Sequence, residues 1–165
     1  MVSPLTHLSL QFQGLTPRNP SQTLTSAAAL FRSATQNSWL GLFWSRLTGT
    51  RHSLRSMQDC FNANTRILNA YYTGVVTVPL GQIIGSEGRN TDFDRDFNPV
   101  NENNRERWIS IAVARLQGVA LPLVELIRIG ECYFVRDGHH RISVARALKQ
   151  EYIEALVTVW ENGPA

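Results

Sequence analysis

The order of elements in this 165-residue chain predicts an α+β domain, a small mixed sheet with helices, preceded by a helical N-terminal extension. Three observations carry this. Apolar, β-rich runs recur at residues 75–80, 121–129, 132–136 and 153–160. Helical patterns stand between them at 105–117 and 139–149, which gives the order β–loop–α–β–β–turn–α–β. The charge also divides the chain: residues 1–73 hold six arginines against one acid, Asp59, while residues 74–165 hold ten basic and twelve acidic groups. These shifts predict a flexible tail over 1–22, a basic helical extension over 23–73 and the main domain over 74–162.

The first 22 residues are rich in Pro, Ser and Thr without periodicity, apart from a short extended piece at 8–12. Residues 23–35 predict a helix around Ala27, Ala28, Ala29, Leu30 and Phe31. Asn37 or Ser38 is a candidate cap for a second helix, which Gly49 would end. There Leu40, Phe43, Trp44 and Leu47 fall at i, i+3, i+4 and i+7, one face of a helix. That face either packs on the domain's own core or meets a membrane surface, a nucleic acid or a protein partner. A third helix is expected over 53–71.

From Val75 the texture changes. The β-branched run to Leu80 reads as a strand and Gly81 to Pro99 as loop. Asn103 followed by Glu106 resembles a capping box. The next helix turns Trp108, Ile111, Ala112 and Leu116 to one side and ends at Gly118. Gly130-Glu131 joins two strands as a tight turn, and a last helix and strand follow.

The composition is 43% hydrophobic, enough for one domain with a core. No apolar run reaches 18 residues, so no membrane-spanning helix is expected. The start lacks the basic region and apolar block of a secretory signal. Cys60 and Cys132 are far apart and predict free thiols in a reducing cytoplasm. Ser86 and Ser143 have no evident base partner, which leaves nucleophilic catalysis without support. Asp92, Asp94 and Asp96 lack the glycine and distal glutamate of a calcium loop and read as a solvated acidic stretch. Transition-metal binding is not expected, because the other histidines, His7 and His52, lie far off in sequence.

The most informative stretch is Tyr133-Phe134-Val135-Arg136-Asp137-Gly138-His139-His140-Arg141. A strand runs into an Asp-Gly turn, and a helix opens at once on His, His and Arg. Helix N-termini carry unpaired N–H groups and partial positive charge, so this is an anion site, most often for phosphate. Gly138 permits positive φ and close approach of a ligand. Arg141 offers charge-assisted bonds to phosphate. His139 and His140 point about 100° apart in a helix; one is expected to contact phosphate and the other to pack or bond to a carbonyl. Arg89 is a candidate second clamp.

These residues resemble the ParB N-terminal/sulfiredoxin superfamily, in which a hairpin strand enters a glycine turn and an Arg-bearing helix cradles a nucleotide phosphate. The ParB turn reads Gly-Glu-Arg-Arg and the sulfiredoxin turn Gly-Cys-His-Arg; here it is Gly138-His139-His140-Arg141. The segment from Val78 to Ile83 resembles the opening strand, Gly85-Ser86-Glu87-Gly88-Arg89 sits where ParB has its Pro-Arg loop, and Pro122 to Leu126 resembles the strand after the first helix. The resemblance covers residues 75–160. His139 replaces the sulfiredoxin cysteine, which argues against sulfinic acid reduction. The 165 residues leave no room for the helix-turn-helix and dimerisation domains of a chromosome-partitioning ParB.

Asp-Gly-His-His-Arg is closest to a branch that includes ADP-dependent free serine kinases. That likeness implies Glu87 as general base and Asp137 as a second functional carboxylate, an oxygen ligand for Mg²⁺ carried by a nucleotide (ATP, ADP or CTP). The resemblance thus implies a regulatory nucleotide- or phosphate-binding module. The alternatives are a small-molecule phosphotransferase and a DNA-associated ParB-like protein or nuclease.

Overall fold

The computed structural model describes residues 19–49, 53–60, 65–89 and 91–164. Helix α1 (Pro20–Thr48) opens with Pro20 in its first turn, where the missing N–H costs nothing, and closes at Gly49, whose φ of 67° lies in the left-handed region. It is one continuous helix rather than two. Asn37 and Ser38 lie inside it, with Ser38 buried, and Thr35 Oγ1 bonds back to the Phe31 carbonyl at 3.1 Å. The tail expectation for 1–22 falls largely outside the described residues, as does the extended piece at 8–12; α1 begins at Pro20.

The expected helix over 53–71 is absent. In its place stand a two-residue strand β1 (Arg55–Ser56), a 3-10 turn (Met57–Cys60) and the beginning of a long strand, β2 (Thr65–Pro79). Ile67, Leu68, Tyr71 and Tyr72 have the i, i+1, i+4, i+5 spacing of a helix, but they lie exposed on a two-stranded ribbon. No buried face there imposes the alternation that marks a strand.

A 3-10 turn (Leu80–Gln82) leads into β3 (Ile83–Ser86), inside the segment expected as loop. Its Gly85 allows close packing: an added Cβ would lie 2.3 Å from the Arg55 carbonyl and 2.7 Å from the Phe134 ring. Helix α2 (Arg105–Leu116) follows with Asn104 at its N-cap. The cap falls one residue after Asn103, the expected box residue, and the Asn104 side chain makes no capping bond. Strands β4 (Val124–Ile129) and β5 (Cys132–Asp137) form the hairpin expected around Gly130, whose φ is 59°. Helix α3 (His139–Ala147) and β6 (Tyr152–Pro164) complete the chain.

The six strands form one mixed sheet in the order β1-β3-β5-β4-β6-β2. β5 is central, parallel to β3 and antiparallel to β4; β4 is parallel to β6, and β6 pairs antiparallel with β2 along almost its whole length. One face of the sheet packs Val124, Leu126, Val135 and Val157 against Ile142 and Ala145 of α3. On its far side α3 presents Val144 to α1 and α2, where Ala27, Phe31, Trp108 and Ala112 are buried. The layers therefore run sheet, α3, then α1 with α2. The other sheet face is covered at its centre by Met57 packed on Ile127, Ile129 and Phe134. No helix among the described residues is long and apolar enough to cross a membrane.

Candidate functional site

The Asp-Gly-His-His-Arg stretch forms the junction of β5 and α3. Gly138 is the N-cap, with φ 101°. A Cβ there would lie 2.6 Å from Cγ1 of Val124, so the glycine lets the helix start against β4 with no spacer after the strand. Ile142 N–H donates to the Gly138 carbonyl at 3.0 Å and closes the first turn. The N–H groups of His139, His140 and Arg141 precede that bond and have no partner within the helix.

Both imidazoles are buried. Burial lowers the pKa of each to about 4, and neighbouring positive charge adds to this, from Arg89 and His140 on His139 and from Arg107 and Arg89 on His140. Asp92 and Asp137 oppose the shift at both rings. At neutral pH both rings are uncharged. Their roles differ. His139 Nε2 lies 2.7 Å from Ser86 Oγ. That oxygen also accepts from the N–H groups of Gly88 at 3.2 Å and Arg89 at 2.9 Å and lies 3.4 Å from the Val135 carbonyl, so it ties the ring, the loop and β5 together. His140 Nε2, by contrast, is buried without a hydrogen-bond partner. The Phe93 ring stacks on His139 at 6.0 Å and meets His140 edge-on at 5.2 Å.

Phe93 is held in place by a tight loop. Asp94 is buried, and its carboxylate accepts from the N–H groups of Asp96 at 2.9 Å and Asn98 at 2.8 Å and from the Asn98 side chain at 3.0 Å. The same loop keeps Phe97 at φ 63°, a conformation that costs a non-glycine residue about 1–3 kcal/mol. The ring is buried, and Arg146 of α3 lies over it at 4.8 Å while donating to the Leu80 and Ile83 carbonyls at 2.7 and 2.8 Å. The stretch expected to be a solvated acidic loop is thus pinned at Asp94; Asp92 and Asp96 pair with Arg89 at 3.8 Å and Arg95 at 3.9 Å.

Comparison with protein-family models, curated proteins and solved structures finds no match.

The two candidate catalytic carboxylates are each held by an arginine. Glu87 accepts from Arg136 Nε at 3.0 Å. Asp137 is bonded by Arg141. Side chains alternate along a strand, which sets Arg136 on the opposite side of β5 from Asp137. Arg141 also donates to the Pro122 and Leu123 carbonyls at 2.6 and 2.7 Å, tying α3 to the approach to β4. Arg89 remains half-exposed beside the histidines.

Ser86, which showed no base partner in the sequence, meets His139, and Ser143 accepts from Trp108 Nε1 at 2.8 Å. Both hydroxyls are buried and engaged in structure. Arg107 and Phe93 are contributors the sequence did not single out; Ser86 was weighed only as a nucleophile, although its place two and three residues before the N–H groups it accepts from carried a local signal. No group of three or more metal-ligating side chains occurs among the described residues.

Proposed function

We propose that the β5–α3 junction is the phosphate-holding site of a regulatory nucleotide-binding module of the ParB/sulfiredoxin type. The observation that carries the reading is His140: a neutral imidazole in the first turn of α3, buried, with Nε2 unpartnered. A buried polar atom without a partner costs about 1–3 kcal/mol, which an incoming anion offsets by accepting from it. The unbonded N–H groups of the first turn and the charges of Arg89 and Arg107 favour the same anion.

In this arrangement Arg141 organises the junction and the anion is received by Arg89, Arg107, His140 and the backbone. The reading stops at binding; Glu87, the general base that the resemblance implies, is paired with Arg136 at 3.0 Å. Mg²⁺ would arrive with the nucleotide, with Asp137 as the carboxylate that the resemblance assigns to it.

Thermal melting with ATP, ADP, CTP and inorganic phosphate, each with and without Mg²⁺, tests the proposal. A ligand at 100 times its Kd stabilises the fold by about 2.7 kcal/mol. The shift should shrink in Arg107→Ala and Arg89→Ala. If none of the four ligands moves the transition in either condition, the site does not hold phosphate.

A further inference from the structure

Helix α1 has two faces with different surroundings. Ala27, Phe31, Ala34 and Ser38 are buried against the body. Past Ser38 the helix has no buried residue, so its last turns project from the layer it belongs to. On those turns Trp39, Leu40, Phe43, Trp44 and Leu47 are 57–74% exposed. At 100° per residue they fall within an arc of about 140°, centred opposite the buried face. Five large apolar side chains in one stripe are far more than the scattered exposure of an ordinary surface. The sequence left open whether this face packs on the protein's own core; among the described residues it is left exposed.

The charge around the stripe is one-sided. The first 58 residues contain five arginines and no Asp or Glu. Arg32 and Arg46 lie on α1 itself, both exposed, along the Trp39 margin of the stripe. A second copy laid on the stripe would bring arginine against arginine with no acid on either helix to neutralise them. A nucleic acid would satisfy the arginines and leave the apolar residues in water. An anionic lipid surface satisfies both, since its headgroups take the arginines and its acyl boundary takes Trp, Phe and Leu.

We propose that the projecting end of α1 is a docking surface for an anionic lipid bilayer, with Trp39, Phe43, Trp44 and Leu47 inserted at the headgroup boundary and Arg32 and Arg46 on the lipid phosphates. The helix lies in the interface plane and does not span.

The full chain is sedimented with phosphatidylcholine vesicles, with and without phosphatidylglycerol. Binding is expected only with the anionic lipid, accompanied by a blue shift of tryptophan emission. The triple variant Trp39→Ser, Phe43→Ser, Trp44→Ser should lower the partition about hundredfold. The pair Arg32→Gln, Arg46→Gln should lower it about thirtyfold. All three substituted apolar residues are exposed, so both variants should keep the wild-type melting temperature, which certifies their fold. The proposal is overturned by failure to bind either vesicle, by equal binding to both, or by undiminished binding of the triple variant. It is equally overturned if sedimentation velocity shows a dimer, or a gel shift a duplex-DNA complex, that the triple variant abolishes.

Discussion

The Ser86 hydroxyl lies 2.7 Å from Nε2 of His139, with both side chains buried at the junction of β3 and α3. The serine accepts two loop N–H groups and shares a hydrogen bond with the imidazole, so one oxygen fixes the turn after β3 and the orientation of the first residue of α3. Ser86→Ala leaves the Gly88 and Arg89 N–H groups and the ring nitrogen without this partner. A loss of about 1–3 kcal/mol in urea unfolding is expected, and a variant as stable as wild type would show that the pair is incidental.

Stability should fall with acidification in a defined window. The two histidines have folded pKa values of about 4 against an ordinary 6.5. Between those limits the unfolded chain binds protons that the folded chain does not, so the stabilising contribution is whole above pH 6.5 and is lost as pH drops towards 4. Melting temperatures measured from pH 7.5 to 4 should show this slope, and the double variant His139→Gln, His140→Gln should flatten it.

Gly138→Ala places a Cβ 2.6 Å from Val124 Cγ1 on a backbone at φ 101°. A cost of several kcal/mol is expected from clash and strain together. Combining it with Val124→Ala relieves the clash and leaves the strain. A double-mutant cycle should therefore return a favourable coupling of about 1 kcal/mol or more; simple additivity would separate the two positions.

Ser143→Ala strips the acceptor from the Trp108 indole N–H, buried between α2 and α3. The expected cost is about 1–3 kcal/mol. Ser143→Thr keeps the oxygen and should recover part of it, as read from the chemical-denaturation midpoint.

The core of the fold was legible because its elements are buried on one side. The hairpin of β4 and β5, the helices α2 and α3 and the last strand fall close to where periodicity set them, and Gly49, Gly118 and Gly130 mark ends or turns with positive φ as expected. What failed lies where burial is weak or the element short. The outer half of β2 is exposed on both sides and mimics helical spacing, while β3 has four residues and glycines nearby. At the site, Asp137, Gly138 and both histidines were found from local sequence because strand, turn and helix are contiguous. Arg107 and Phe93 come from distant segments, and nothing near them announces the histidines they face. Arg141 was read as a phosphate ligand; its carbonyl partners lie 18 and 19 residues away, beyond the reach of any local pattern.

The pairing of β2 with β6 sets how this chain must fold. Pro79 faces Tyr152 and Thr65 faces Pro164, so the longest ladder in the sheet joins segments separated by the entire helix–hairpin–helix portion. The β4–β5 hairpin closes over two residues and can form within microseconds. The β2–β6 ladder gains nothing until the long intervening loop has closed, and that ordering places it late. Until then β2 presents an apolar edge with Ile67, Leu68, Tyr71 and Tyr72 unpaired, the segment most exposed to misassociation during refolding. Refolding yield should therefore depend on concentration more steeply than native solubility does.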